Sequence, residues 1–279
     1  MTMTVRGVRV PAYLYGTAWK EDATEQCVID ALDAGFRGID TANQRKHYFE
    51  EGVGRALDAK FREGFIARRD LFLQTKFTFR DGQDDRLPYD ERAPIADQVQ
   101  QSFASSLTHL GVEQIDSLVL HGPSQRDGLG KADHEAWRAM EAIASSGRVK
   151  LLGISNATAR QVEELIAFAA IQPAFVQNRT YAERSWDSRV RELCSSNDIV
   201  YQGFSLLTAN RQVLANAKVA AIAVRYSVTP AQVVFRFAQQ LGMLPLTGTR
   251  DPVHMREDLA IHGFTLDTDE LAVVNAAGR

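Results

Sequence analysis

The sequence predicts an α/β protein of the (β/α)8 TIM-barrel class, organised as one domain over residues 1–279. Three observations carry that expectation. Eight short apolar runs recur along the chain, and segments of helical periodicity separate them. The runs end in polar or ionisable residues, as barrel strands do where they emerge from the core. No linker-like or low-complexity stretch interrupts the series, so a single closed array is expected rather than two units.

In chain order the runs are AYLYGTAW (12–19), FRGID (36–40), LFLQTK (71–76), SLVLH (117–121), KLLGIS (150–155), AFVQN (174–178), IVYQGFS (199–205) and MLPLTG (243–248). Between them, EEGVGRALDAKF, IADQVQQSFASSLTHL, EAWRAMEAIASSG and ARQVEELIAFAA place apolar residues three and four apart, the pattern of one-sided helices. Two helix starts carry local signals. Thr158 precedes ARQVEEL as an N-cap, and Asp251 precedes Pro252, the pairing of an N-cap with a proline at the first helical position.

Bulk properties remove several classes of function. A 45% hydrophobic content supports a substantial core, and 24% charged residues suit a soluble surface. The net charge of −3 argues against a nucleic-acid binder, which needs a basic face. The start MTMTVRGVRV shows no apolar signal core, and no apolar run approaches the roughly 20 residues of a membrane span. Cys27 and Cys194 lie far apart with no CxxC pair, so neither a disulfide framework nor a cysteine zinc site is expected. A cytoplasmic monomer without a resident metal is the expectation.

The chemistry is expected at the strand ends: Asp40, Lys76, His121, Ser155-Asn156, Gln177-Asn178, Ser205 and Thr247, with Tyr48 just beyond the run that ends at Asp40. Taken singly, each has an ordinary explanation. Asp40 suits a turn, Lys76 a snorkelling surface residue, His121 a satisfied core histidine and Tyr48 a packed ring. Taken together, Lys, Asp, His and Tyr at the tops of neighbouring strands form a costly charge cluster unless they serve a site.

The ordered motifs GFRGIDTA…Y…VGRAL, LFLQTK, IDSLVLHGP, GRVKLLGISN, FVQN and TPAQVVFRF resemble the aldo-keto reductase family, from GTAWK at 16–20 to HMREDL at 254–259. The resemblance implies a catalytic tetrad of Asp40, Tyr48, Lys76 and His121 and reduction of a small carbonyl substrate by a nicotinamide cofactor. It implies that Ser155, Asn156 and Gln177 hold the nicotinamide and that Phe204 stacks on it, where the family commonly uses tyrosine. Gly16, Thr17, Ala18, Asp40, Ser205 and Leu207 are implied along the rest of the cofactor, with Glu257 and Asp258 at the adenine. In chemical terms Tyr48 serves as the proton donor, Lys76 as a cation beside its hydroxyl that favours the phenolate, and His121 as a donor to the carbonyl oxygen.

Departures from the family pattern sharpen the expectations. The segment NQRKH between Asp40 and Tyr48 is longer than usual, which makes His47 a second candidate beside Tyr48. The basic pair that commonly holds a 2′-phosphate is replaced by Gly248 and His254, leaving Thr249, Arg250 and the nearby Arg256 for that task. NADPH is the expected donor, with NADH as the alternative. Trp19, His47, Phe79 and Trp186 are expected to line the substrate pocket. Residues 77 to 94 are expected to be either a lid or a disordered loop. Two rival readings use the same residues: a cofactor-binding regulatory barrel with little turnover, and a Schiff-base aldolase built on Lys76.

Overall fold

In the computed structural model, which describes residues 2–278, the eight apolar runs become eight parallel strands closed into a barrel. A hairpin precedes them, β1 (Thr2–Val5) paired antiparallel with β2 (Val8–Pro11). Its two-residue turn is Arg6-Gly7, both at positive φ (47° and 80°), the twist that matches a tight hairpin. Val5 and Val10 join Leu14, Phe72, Leu151, Phe175 and Leu244 in an apolar cluster, so the hairpin plugs the end of the barrel away from the strand C-termini.

The barrel strands are β3 (Leu14–Gly16), β4 (Gly38–Asp40), β5 (Phe72–Phe77), β6 (Ile115–Leu120), β7 (Val149–Ser155), β8 (Phe175–Arg179), β9 (Val200–Phe204) and β10 (Leu244–Thr247). They hydrogen-bond in chain order, and β10 closes the ring on β3 through Leu246–Leu14 and Thr247–Tyr15. The helices between them are α1 (Thr24–Ala34), α2 (Glu50–Arg62), α3 (Ile95–Leu110), α4 (Lys131–Ser145), α5 (Ala159–Phe168), α6 (Ser188–Ser195), α7 (Arg211–Leu214), α8 (Ala217–Tyr226) and α9 (Pro230–Gln240). After β10 come α10 (Pro252–Leu259) and α11 (Thr268–Ala276).

The sequence signals for helix starts have direct counterparts. Thr158 accepts from the Gln161 N–H ahead of α5, and Asp251 accepts from the Val253 N–H ahead of α10, with Pro252 in the first turn. A large core between strands and helices fixes the frame, and it includes Trp137, Trp186, Phe235 and Phe237. No helix among the described residues is long and apolar enough to cross a membrane.

Residues 77 to 94 form an ordered segment and not a loose loop. They fold as a short 3-10 turn at Arg80–Gly82 followed by a segment anchored by the buried Tyr89, whose hydroxyl donates to the Thr78 carbonyl at 2.8 Å. Arg80 clasps Glu91 at 2.8 Å across the segment. None of these residues lines the main cavity, which lies over the barrel axis. The burial of Tyr89 holds the segment against β5, which the polar composition of the stretch did not reveal.

Candidate active site

Strand alternation sets which side chains reach the mouth of the barrel. On β5, Phe72, Gln74 and Lys76 point inward in turn, and on β8 the same series is Phe175, Gln177 and Arg179. The lower positions are apolar and fill the barrel. The middle ones form a polar layer in which Gln74, Gln177 and Gln202 exchange amide hydrogen bonds at 2.8–3.1 Å. Above it opens a cavity of about 740 Å³, a volume typical of small-molecule sites.

Asp40 and Lys76 form a sealed pair at its base. Lys76 Nζ donates to Asp40 Oδ1 and Oδ2 at 2.8 and 2.7 Å and to the Thr41 carbonyl at 2.8 Å. Gln74 and Gln177 each donate to Asp40 Oδ1 as well, at 2.7 and 3.0 Å, so the buried carboxylate is fully satisfied. Burial pushes the lysine pKa down, and the charge and hydrogen bonds of Asp40 oppose that shift.

Tyr48 and His121 stand above this pair. The two rings meet edge to face with centroids 5.7 Å apart, and both line the cavity. Lys76 Nζ faces the Tyr48 ring at 5.1 Å from its centroid. The ammonium's three donors go to Asp40 and Thr41, so Lys76 faces the phenol as a charge and not as a hydrogen-bond donor. Burial, followed by the Asp40 charge, raises the Tyr48 pKa, so the phenol keeps its proton at neutral pH rather than sitting as a phenolate. Burial also holds His121 well below the usual histidine range, with Lys76 and His47 adding to the shift.

Next to His121 and Asp40 the geometry fits a carboxamide. Gln177 Nε2 is committed to Asp40 and Gln202, which leaves its Oε1 without a protein donor among the described residues. Asn156 Nδ2 donates to the His121 carbonyl at 2.8 Å and to Ser155 Oγ at 3.2 Å, which likewise leaves Asn156 Oδ1 free. Ser155 Oγ is itself used on the Gln177 carbonyl at 2.6 Å. Two open acceptors in a cavity that Phe204 also lines match the two N–H groups of a nicotinamide carboxamide. Three residues on the cavity wall hold left-handed backbones: Trp19, Asn156 and Ser205, with φ of 62°, 53° and 56°. Such conformations cluster where a site imposes them.

The structure brings most of the expected residues to one cavity. Gly16, Ala18, Trp19, Asp40, His47 and Tyr48 line it from β3 and β4, and Ser155, Asn156, Gln177, Phe204, Ser205 and Leu207 from β7 to β9. Thr249, Arg250, Glu257 and Asp258 complete its far end. Three expectations are corrected. Trp186 is fully buried against Phe237 as core, not pocket wall. Phe79 packs on Phe77 and faces a neighbouring hollow. Thr17 is fully buried and spends its hydroxyl on the Asp40 carbonyl at 3.1 Å, so it supports the strand end instead of touching a ligand.

The sequence reading passed over two cations on the cavity wall. Lys20, 2% exposed, donates to the Gly248 carbonyl at 2.9 Å, and burial lowers its pKa to about 8. Arg179 lies two residues past Gln177, and the period-two alternation of FVQNR marks it as inward-facing. At the same end, Arg250 donates to the Trp19 carbonyl and spans the cleft between the loops after β3 and β10.

Comparisons with known proteins agree with this geometry. The family model described as the Aldo/keto reductase family matches residues 12–279. The chain is 30% identical over 288 residues to deoxymugineic acid synthase 1 of Oryza sativa subsp. japonica, covering 95% of this chain and 85% of that protein. It is 29% identical over 252 residues to 2,5-diketo-D-gluconic acid reductase B of Corynebacterium sp. (strain SHS752001), covering 90% and 83%. Among solved structures, an aldo/keto reductase from Brucella melitensis is similar with a TM-score of 0.84 at 26% identity over 99% of both chains.

Proposed function

The chain belongs to the aldo/keto reductase family, and from that premise we propose that it reduces an aldehyde or ketone to an alcohol with Tyr48 as proton donor and NADPH as reductant. One observation carries the reading: a sealed Asp40–Lys76 pair lies directly beneath the Tyr48 ring, at the base of a cavity that also holds His121. When bound, the nicotinamide supplies the hydride. Asn156 and Gln177 offer acceptor oxygens to its carboxamide, and Phe204 offers an aromatic face.

The protein's own residues do the rest. His121, neutral because it is buried, directs an imidazole N–H at the carbonyl oxygen and steadies the negative charge that develops there. Tyr48 holds a proton at neutral pH and delivers it to that oxygen. Proton loss leaves a phenolate over the Lys76 ammonium, whose charge stabilises it through the ring face rather than through a hydrogen bond.

At the nucleotide end, Lys20, Thr249 and Arg250 support binding of phosphate groups. A preference for NADPH over NADH then rests on Arg250 and Thr249 rather than on a full basic cluster. The aldolase alternative is disfavoured, since the Lys76 side chain is 0% exposed and does not line the cavity, so no carbonyl carbon reaches its nitrogen. Cofactor oxidation followed across a panel of aldehydes and ketones, with NADPH and with NADH, tests the reading. Turnover supports it, and tight cofactor binding without any turnover favours the regulatory barrel.

A further inference from the structure

Thr78 Oγ1 lies 2.7 Å from His121 Nδ1, and no residue role assigned above uses this contact. We propose that Thr78 is a positioning residue that fixes His121 in the tautomer whose proton sits on Nε2, and that residues 77 to 94 are the brace holding Thr78 in place. The proposal rests on the carbonyl-reductase reading for its consequence but not for its geometry.

A neutral imidazole carries one N–H, and which nitrogen bears it is set by the partner of the other. Burial keeps His121 neutral, so the choice is between two tautomers. Thr78 is only 6% exposed, and its hydroxyl makes no other hydrogen bond among the described residues. If Nδ1 carried the proton and donated to Oγ1, the hydroxyl proton would find no protein acceptor among the described residues. If the hydroxyl donates to Nδ1, both groups are satisfied and the imidazole proton must lie on Nε2. That nitrogen has no hydrogen-bond partner among the described residues, and the residue lines the cavity. The tautomer selected is the one able to donate to a substrate oxygen.

The segment after β5 secures the threonine. The His121 N–H donates to the Phe77 carbonyl at 2.9 Å, which sets the two strand ends in register. The Thr78 carbonyl accepts from the Tyr89 hydroxyl at 2.8 Å. Gly82 lies so close that an added Cβ would sit 2.6 Å from Thr78 Cγ2, so the glycine leaves the threonine methyl its space. A stretch with the look of a lid therefore serves the acid–base machinery from behind.

The test is nitrogen-15 NMR of the histidine rings, with His121 assigned by comparison with His121→Gln, alongside steady-state kinetics. The wild type is expected to show a protonated Nε2 and a bare Nδ1 for His121. Thr78→Val, which keeps the shape and removes the donor, is expected to populate the other tautomer and to lower kcat roughly five- to tenfold with NADPH affinity unchanged. Thr78→Ser restores both. A wild-type ring protonated on Nδ1 overturns the proposal, as does a Thr78→Val variant with wild-type kcat or a Thr78→Ser variant that restores neither property. The wild-type spectrum needs no substrate, so the tautomer is decided even if no carbonyl compound is turned over, which would instead count against the reductase reading.

Discussion

Lys76 places its ammonium 5.1 Å from the centre of the Tyr48 ring and sends its hydrogen bonds to Asp40 and Thr41. The lysine therefore acts on the phenol by charge across the ring face. A donor to the phenolic oxygen would stabilise the phenolate in the resting state. A cation beneath the ring stabilises the same anion by charge alone, while burial keeps the phenol protonated at rest.

Lys76→Met removes that charge while filling similar volume. Turnover is expected to be nearly lost. Stability should fall by about 3 kcal/mol, the lower end for breaking a buried pair, because Gln74 and Gln177 still donate to Asp40. Urea denaturation and steady-state kinetics on the same preparation check both. Full activity in this variant contradicts a role for the lysine charge.

His121→Ala should lower kcat by roughly 100-fold, since an oxygen-facing donor in a site shielded from water is worth about 3 kcal/mol. Cofactor affinity should stay within a few-fold, because the imidazole packs against the Tyr48 ring and hydrogen-bonds Thr78 rather than the carboxamide acceptors. Unchanged kcat would return this histidine to a packing role.

Arg250→Ala is expected to erode most of the preference for NADPH and to leave NADH binding nearly unchanged. One charge-assisted contact from an exposed arginine is worth about 1–3 kcal/mol, roughly 5- to 150-fold in affinity. The guanidinium must leave the Trp19 carbonyl to reach a phosphate, which places the effect towards the lower end. The preference should weaken as salt rises. Fluorescence titration of both cofactors gives the answer, and equal affinities in the wild type would remove the basis for the assignment.

Asp258 links stability to pH. Asp258 is 4% exposed, and burial raises its carboxyl pKa from 3.8 to about 7, against the weaker opposing pull of Thr247 and His254. The folded protein thus binds a proton that the unfolded chain has released, so the contribution is intact below about pH 4 and is lost as pH rises through about 7. The difference amounts to about 4 kcal/mol as an order of magnitude. Asp258→Asn should match the wild type near pH 4 and exceed its stability at pH 8, measured by urea denaturation at both values. Parallel pH profiles for the two proteins contradict the linkage.

Strand positions were readable because each apolar run ends in a polar residue, and barrel closure keeps the runs in order. The placement of Asp40, Lys76, His121, Ser155, Asn156 and Gln177 at the barrel mouth was readable for the same reason, a strand end being both a sequence feature and a place, whereas Tyr48 reaches the cavity from the loop beyond β4. What the sequence hid was orientation. Trp186 and Trp19 are equally aromatic, yet one packs on Phe237 and the other is 63% exposed at the cavity, a difference set by tertiary packing. Thr17 and Gly16 are adjacent, but alternation turns only the glycine to the cavity. Thr78 carries no signal of its own, since its importance depends on where the His121 ring lies. Arg179 and the Arg6-Gly7 hairpin did have local signals, in the alternation of FVQNR and in the glycine-containing turn between two β-branched runs.

The central claim is that Tyr48 delivers the proton, and Tyr48→Phe tests it most directly. The variant removes one oxygen and keeps the ring over Lys76 and against His121. Carbonyl-dependent oxidation of NADPH is expected to be abolished, while NADPH affinity by fluorescence quenching stays within a few-fold of wild type. Reduction of aldehydes at near wild-type rate by the phenylalanine variant contradicts the account and shifts the acid to His47, the other proton-bearing group of that loop in the cavity.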